Sequence, residues 1–175
     1  MKGVFFFLGE FNDQDIDWLI TRAHKQFVKA GENLVREGQS LQTMYFILDG
    51  EFGLRVARRG SAEVAKIRVG EVVGEVSFID SRPASGTVTA RTASVVLALP
   101  LALLAVKLRE DLGFAARFYR ALAMMLAYRL RAQTLRQDGA DSKAEAADQL
   151  DMNVLDTVHL AGARFQRILS RMNLT

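Results

Sequence analysis

Residues 70–90 read GEVVGEVSFIDSRPASGTVTA, and they are of the kinds that let a backbone close around a small anion. Gly70 and Gly74 are each followed by a glutamate. A short apolar step follows (Val76, Phe78, Ile79), then a polar turn ending in Arg82-Pro83 and a run of small residues, Ala84, Ser85, Gly86 and Thr87. Glycine and small side chains admit a ligand close to the main chain. A turn whose amides point one way forms a concavity for an anion, and the first turn of a helix adds its dipole. A Gly-Glu turn between strands is also ordinary loop chemistry, so the stretch gains meaning from the elements that hold it.

Those elements are strands before it and helices after it. Asn12 or Asp13 can cap a first helix over residues 11–23, with Ile16, Leu19, Ile20 and Ala23 at helical spacing. From residue 26 the period shortens. Strands are expected at 26–29, 33–36, 44–48, around Phe52, Leu54 and Val56, at 64–69, and after the cassette at 86–90 and 94–99. Turn signals fall at Gly31, Gly38, Asp49-Gly50 and Arg58-Arg59-Gly60. Seven or eight short strands at this spacing predict a small barrel-like jelly roll. After Pro100 the pattern is helical: a short helix over 101–107, then a long one over 111–137 that Asp111 can cap. Leu112, Ala115, Tyr119, Leu122 and Leu126, with Leu130 nearby, form a stripe with alternating steps of 3 and 4, the seam of a helix lying lengthwise on another. Seven cations (Lys107, Arg109, Arg117, Arg120, Arg129, Arg131, Arg136) read as a solvated helix face, with a phosphate-contacting face as the sharper alternative. Residues 138–147 (DGADSKAEAA) read as a linker. A last amphipathic helix carries Leu150, Val154, Val158, Ala161, Phe165, Ile168 and Met172 on one stripe, which must bury against its own barrel, a second subunit or a partner protein.

Composition excludes several classes. Half of the 175 residues are hydrophobic and a quarter charged, a globular balance. With no cysteine there is neither a disulfide framework nor a thiolate metal site. The two histidines, His24 and His159, lie far apart in different predicted elements, so no metal cluster or catalytic base is read. A net charge of +3 gives no argument for nucleic acid. The N-terminal MKGVFFFLGEF has too short an apolar run for a signal peptide. Val95 to Val106, cut by Pro100, is too short for a membrane span of about 20 residues. The expectation is a cytoplasmic protein. No nucleophile–base pair or catalytic motif appears, so no enzyme is expected.

The order of Gly31, Glu37-Gly38, Gly50, Gly70, Gly74-Glu75 and Thr87-Val88 resembles the cyclic-nucleotide-binding domain. That domain is the sensor module of catabolite-activator-type regulators, of the cAMP-dependent kinase regulatory subunit and of cyclic-nucleotide-gated channels. The resemblance covers roughly residues 8–137. It implies a mainly β fold with flanking helices, a cyclic-nucleotide-binding-like β-roll (jelly roll) followed by C-terminal helices. Residues 1–137 would form the domain, with a phosphate-binding cassette at 70–88, and residues 138–175 a linker and amphipathic helix. No helix-turn-helix pattern is found.

The resemblance implies that Glu75 accepts a hydrogen bond from a ribose 2′-hydroxyl, while Gly74 opens the cassette and the amides of Val76 and Ser77 bind the cyclic phosphate. The resemblance implies a phosphate-pairing arginine roughly nine or ten residues after the glutamate, and nine after Glu75 this chain has Ala84. The nearest candidate, Arg82, precedes Pro83, which biases it to extended geometry. A charge-assisted bond to a buried phosphate contributes about 1.5–3 kcal/mol, so its loss weakens binding by roughly one to two decades. Three readings stay open. Arg82 reaches the phosphate along a changed loop; the pocket takes another ligand, with Ser85 and Thr87 on either side of Gly86 offering hydroxyls; or the pocket is vestigial and Glu75 caps a turn. The expected function is a non-catalytic sensor for cAMP, cGMP or a related small anion, needing no other cofactor. By resemblance it would be a homodimer through helix 111–137, with a possible protein partner at the last helix. Ligand in the cassette would draw the helices against the barrel. The alternative is a ligand-free dimerisation or scaffold protein.

Overall fold

The structure, a computed structural model, describes residues 3–60, 62–137 and 152–174. The chain opens with two helices, α1 (Gly3–Glu10) and α2 (Asp13–Arg22). Eight strands follow among the described residues: β1 (His24–Val28), β2 (Asn33–Val35), β3 (Thr43–Asp49), β4 (Glu51–Arg55), β5 (Glu63–Arg68), β6 (Val72–Val73), β7 (Thr87–Ala90) and β8 (Ser94–Pro100). A short helix, α3 (Glu75–Asp80), lies between β6 and β7. After β8 come α4 (Leu101–Glu110), α5 (Leu112–Gln137) and α6 (Met152–Arg171). The strands form two antiparallel four-stranded sheets, ordered β1-β8-β3-β6 and β2-β7-β4-β5. This is the expected β-roll with flanking helices.

One sheet is buried on both faces, and its strands show why. Successive side chains of a strand point to opposite faces. In β3, Ile47 faces a small apolar cluster inside the roll with Val28, Val35, Phe52, Val73, Ala84, Val88, Ala90 and Val96. Met44, Phe46 and Leu48 turn the other way, into a larger cluster beneath the helices, joined by Leu97 and Leu99 of β8. Hence β8 is apolar at nearly every position, as a strand covered on two sides must be.

The helical layer is held by aromatics. Phe118 of α5 meets Phe7 of α1 with ring centroids 5.4 Å apart, Phe114 at 6.0 Å and Phe11 at 6.5 Å. The N-terminal apolar run, given no element in the sequence reading, is α1. Val4, Phe7, Leu8 and Phe11 recur at steps of 3, 1 and 3 and are all buried, a helical stripe hidden by the flanking phenylalanines. Asn12 caps α2 through a reciprocal box with Asp15. Buried Asp15 also receives the Arg117 guanidinium two-pronged, Nε to Oδ2 at 2.6 Å and Nη2 to Oδ1 at 2.9 Å. That bond holds the Arg117 pKa above its ordinary value.

The sequence reading of α5 needs correction in two respects. Asp111 does cap it, accepting from Phe114 N at 2.8 Å, but the predicted stripe is split around the helix. Leu122 is buried, whereas Leu112, Tyr119 and Leu130 are exposed. The face turned inward is Phe114, Phe118, Ala121, Leu122 and Met125, because the phenylalanines have more apolar area to remove from water than the leucines of the predicted seam. Nor are the cations all a solvated face. Lys107 pairs with Asp111, Arg117 with Asp15, Arg120 with Glu10 and Arg129 with Glu75.

The described part of the last stripe, Ala161, Phe165 and Ile168, is buried. Phe165 packs edge-on to Phe5 of α1 at 6.3 Å. Arg164 donates to Leu8 O and Asp13, Arg167 pairs with Asp17 at 2.6 Å, and Lys25 Nζ bonds Met172 O near the helix end. Thus α6 covers the N-terminal helices of its own chain. The linker at 138–147 and Leu150 lie outside the described residues, as do the side chains of Val154 and Val158. No described helix is long and apolar enough to cross a membrane.

Candidate functional site

The cassette hangs from main-chain bonds at both ends. At its start Gly70 N donates to Ile47 O and Ile47 N to Glu71 O, both at 2.9 Å, while Val4 N of α1 donates to Gly70 O at 2.6 Å. Gly74, at φ +98°, sets the left-handed turn from β6 into α3, and a side chain there would come within 2.9 Å of Thr43 O. Only glycine takes that conformation and that approach at little cost. At the far end Gly38 N donates to Ala84 O at 2.8 Å and Ala84 N to Gln39 O at 2.9 Å. Thr87 Oγ1 accepts from Glu37 N at 3.1 Å.

Within this frame α3 places Gly74, Glu75, Val76 and Ser77 in one turn. Val76 and Ile79 face solvent, and Phe78 packs edge-on to Phe118 of α5 at 5.8 Å and 85°. Glu75 turns inward, with 5% of its side chain exposed. A buried carboxylate must be paired or protonated. Its partner is Arg129 of α5, whose Nη1 donates to Glu75 Oε1 and whose Nη2 donates to Val72 O at 3.0 Å. One guanidinium therefore ties α5 to the strand that leads into the cassette and to the carboxylate that begins α3.

The other predicted residues separate. Ala84, where the resemblance implies an arginine, is buried in the apolar interior of the roll. Gly86 is buried because β4 passes close by: a Cβ there would stand 2.7 Å from Arg55 O and 2.8 Å from Leu54 Cδ1. Ser85 is exposed. Arg82 is exposed on the turn after Ser81, itself at φ 57°, and its backbone N–H donates to Asp80 Oδ1 at 3.0 Å. Among the described residues the Arg82 side chain has no ion pair or hydrogen-bond partner, so the turn leaves it outside instead of over Glu75. Among the described residues no group of His, Cys, Asp or Glu could hold a metal ion.

The residue missed by sequence reasoning is Arg129. Its signal was present: it continues the inward steps Phe118, Leu122 and Met125 by another four, a cation at a core-facing position. Such a residue has a buried anionic partner more often than a free head group.

Residues 25–111 match the family model of the cyclic nucleotide-binding domain, so the chain carries a domain of that family. Solved structures agree in fold. A cyclic nucleotide-binding domain from Methylobacillus flagellatus is 19% identical with a TM-score of 0.69, covering 78% of this chain and 80% of that one. The catabolite activator protein of Thermus thermophilus is 20% identical with a TM-score of 0.60, covering 93% and 84%. The N-terminal domain of a transcriptional regulator from Streptomyces coelicolor is 26% identical with a TM-score of 0.59, covering 70% and 87%.

The tight pass of β4 yields a prediction about the cassette. Gly86→Ala forces a methyl against a backbone oxygen that cannot step aside, so stability measured by urea unfolding falls by about 1–3 kcal/mol. An unchanged midpoint would show that the cassette has room beside β4.

Proposed function

We propose that this chain is a non-catalytic, cytoplasmic regulatory module whose cassette takes a cyclic nucleotide, cAMP or cGMP, or a related small anion, and whose readout is the position of α5. The observation that carries this reading is Glu75: a buried carboxylate at the first turn of α3, bonded directly to α5 by Arg129. The ribose side of a nucleotide has its acceptor there. The phosphate side relies on the amides of Val76 and Ser77, without an arginine, so affinity is lower than a complete cassette would give. A second reading, a ligand-free scaffold, is favoured by Ala84, whose methyl fills the roll interior where a phosphate would need a cation.

Isothermal titration with cAMP and cGMP separates the two. The expected result is binding at sub-millimolar ligand, lost in Glu75→Gln and retained in Arg82→Ala, since Arg82 stands outside the cassette. Absence of heat up to millimolar ligand would favour the scaffold.

Pairing through α5 belongs to the same proposal. Leu112, Ala116, Tyr119, Ala123 and Leu130 are exposed on α5 at steps of 4, 3, 4 and 7, a seam of the coiled-coil kind on the side away from the roll. Light scattering at micromolar protein is expected to give a dimer, and Tyr119→Glu with Leu130→Glu a monomer. A monomeric wild type would exclude this pairing.

A further inference from the structure

We propose that Arg129 is a latch on the cassette: its guanidinium and a ligand hydroxyl compete for Glu75, so α5 is held against the roll at rest and a bound ligand lets it go. This rests on the reading that Glu75 accepts from a cyclic nucleotide. It reverses the sign of the response that the family resemblance implies, in which ligand draws the helices inward.

Three observations lead to the latch. Glu75 has 5% of its side chain exposed, so a hydroxyl reaches it only after a covering group moves. Arg129 is bonded to that carboxylate and, with 34% of its side chain exposed, is open on its outer side to water that can take over its hydrogen bonds. The same guanidinium also holds Val72 O on β6, so releasing it frees α5 from the cassette at two points. Between α3 and α5 Phe78 also meets Phe118 edge-on, a contact that permits sliding where a paired charge fixes register.

Linkage sets the consequence. When the binding-competent state is a minority, the apparent dissociation constant rises by the inverse of its population. Removing the latch removes that penalty, and by reciprocity a ligand that profits from an open latch must itself loosen α5.

The test uses the full chain, with cAMP and cGMP as probes. Affinity is read by titration and the exposure of α5 amides by hydrogen exchange, on the wild type, Arg129→Gln, Arg129→Lys and the exposed neighbour Arg131→Gln. Arg129→Gln is expected to bind about tenfold or more tighter than wild type, with α5 amides from 118 to 130 exchanging faster even without ligand. In the wild type, ligand should speed the same amides. Arg129→Lys, which keeps the charge but contacts at one point, should fall between, and Arg131→Gln should match wild type in both readouts. Equal or weaker binding by Arg129→Gln would show that guanidinium and hydroxyl share Glu75, which overturns the latch and leaves the ligand reading standing. Ligand-slowed exchange along α5 would overturn it as well. No binding by any variant would overturn both.

Discussion

A carboxylate shut away from water cannot stand alone, and Glu75 is shut away. Its ionised form needs a cation whose own desolvation is tolerable. Arg129 meets that need from α5, a helix whose inward face is also packed through Phe114, Phe118, Leu122 and Met125. The pair fixes the register of α5 against the cassette, and the same helix makes the other contacts that bind the helical layer together. Phe118 comes under Phe78 of the cassette and against Phe7 of α1. Arg117, three turns earlier along the same helix, reaches the capping box of α2. The N-terminal helices are then sandwiched between α5 on one side and α6 on the other. The cassette is thus wired into the helical layer by charge at one point and by aromatic packing at another.

The roll itself supplies little for an anion. Its interior is closed by Val28, Ile47, Phe52, Val88 and Val96, with Ala84 in the same cluster. A phosphate placed there would gain only amide hydrogen bonds, and without a cation nearby its dehydration is poorly offset. The cassette's main-chain frame is nevertheless intact, from the left-handed turn at Gly74 to the reciprocal bonds between Ala84, Gly38 and Gln39. The cation bonded to the cassette's carboxylate comes from α5, while Arg82 of the cassette's own turn stays exposed. This arrangement makes helix position and the state of Glu75 one equilibrium.

The strands were legible because each is short, β-branched or aromatic, and bounded by glycine turns. Turn positions such as Gly31, Gly38, Gly50 and Gly70 all adopt positive φ, as their placement between strands suggested. The two-residue β6 went unread, since two valines carry no period. Helix α1 went unread for the opposite reason, as three consecutive phenylalanines mask the stripe beneath them. The seam of α5 was placed about one step off, because counting leucines gave them equal weight with Phe114 and Phe118. At the site, Gly74 and Glu75 were singled out through the family resemblance, as was Ala84 where that resemblance implies an arginine. Arg129 could be read as a cation on the inward face, but its partner could not, since Glu75 lies 54 residues away and only the folded chain brings the two together.

The most direct test is a double-mutant cycle between Glu75→Ala and Arg129→Ala, with stability measured by urea unfolding. A pair that joins the cassette to α5 predicts a coupling of about 1.5–3 kcal/mol, discounted from a fully buried pair because Arg129 keeps some contact with water. Strictly additive effects, a coupling within about 0.3–0.5 kcal/mol of zero, would mean that the two side chains do not hold one another and that α5 is positioned by its other contacts.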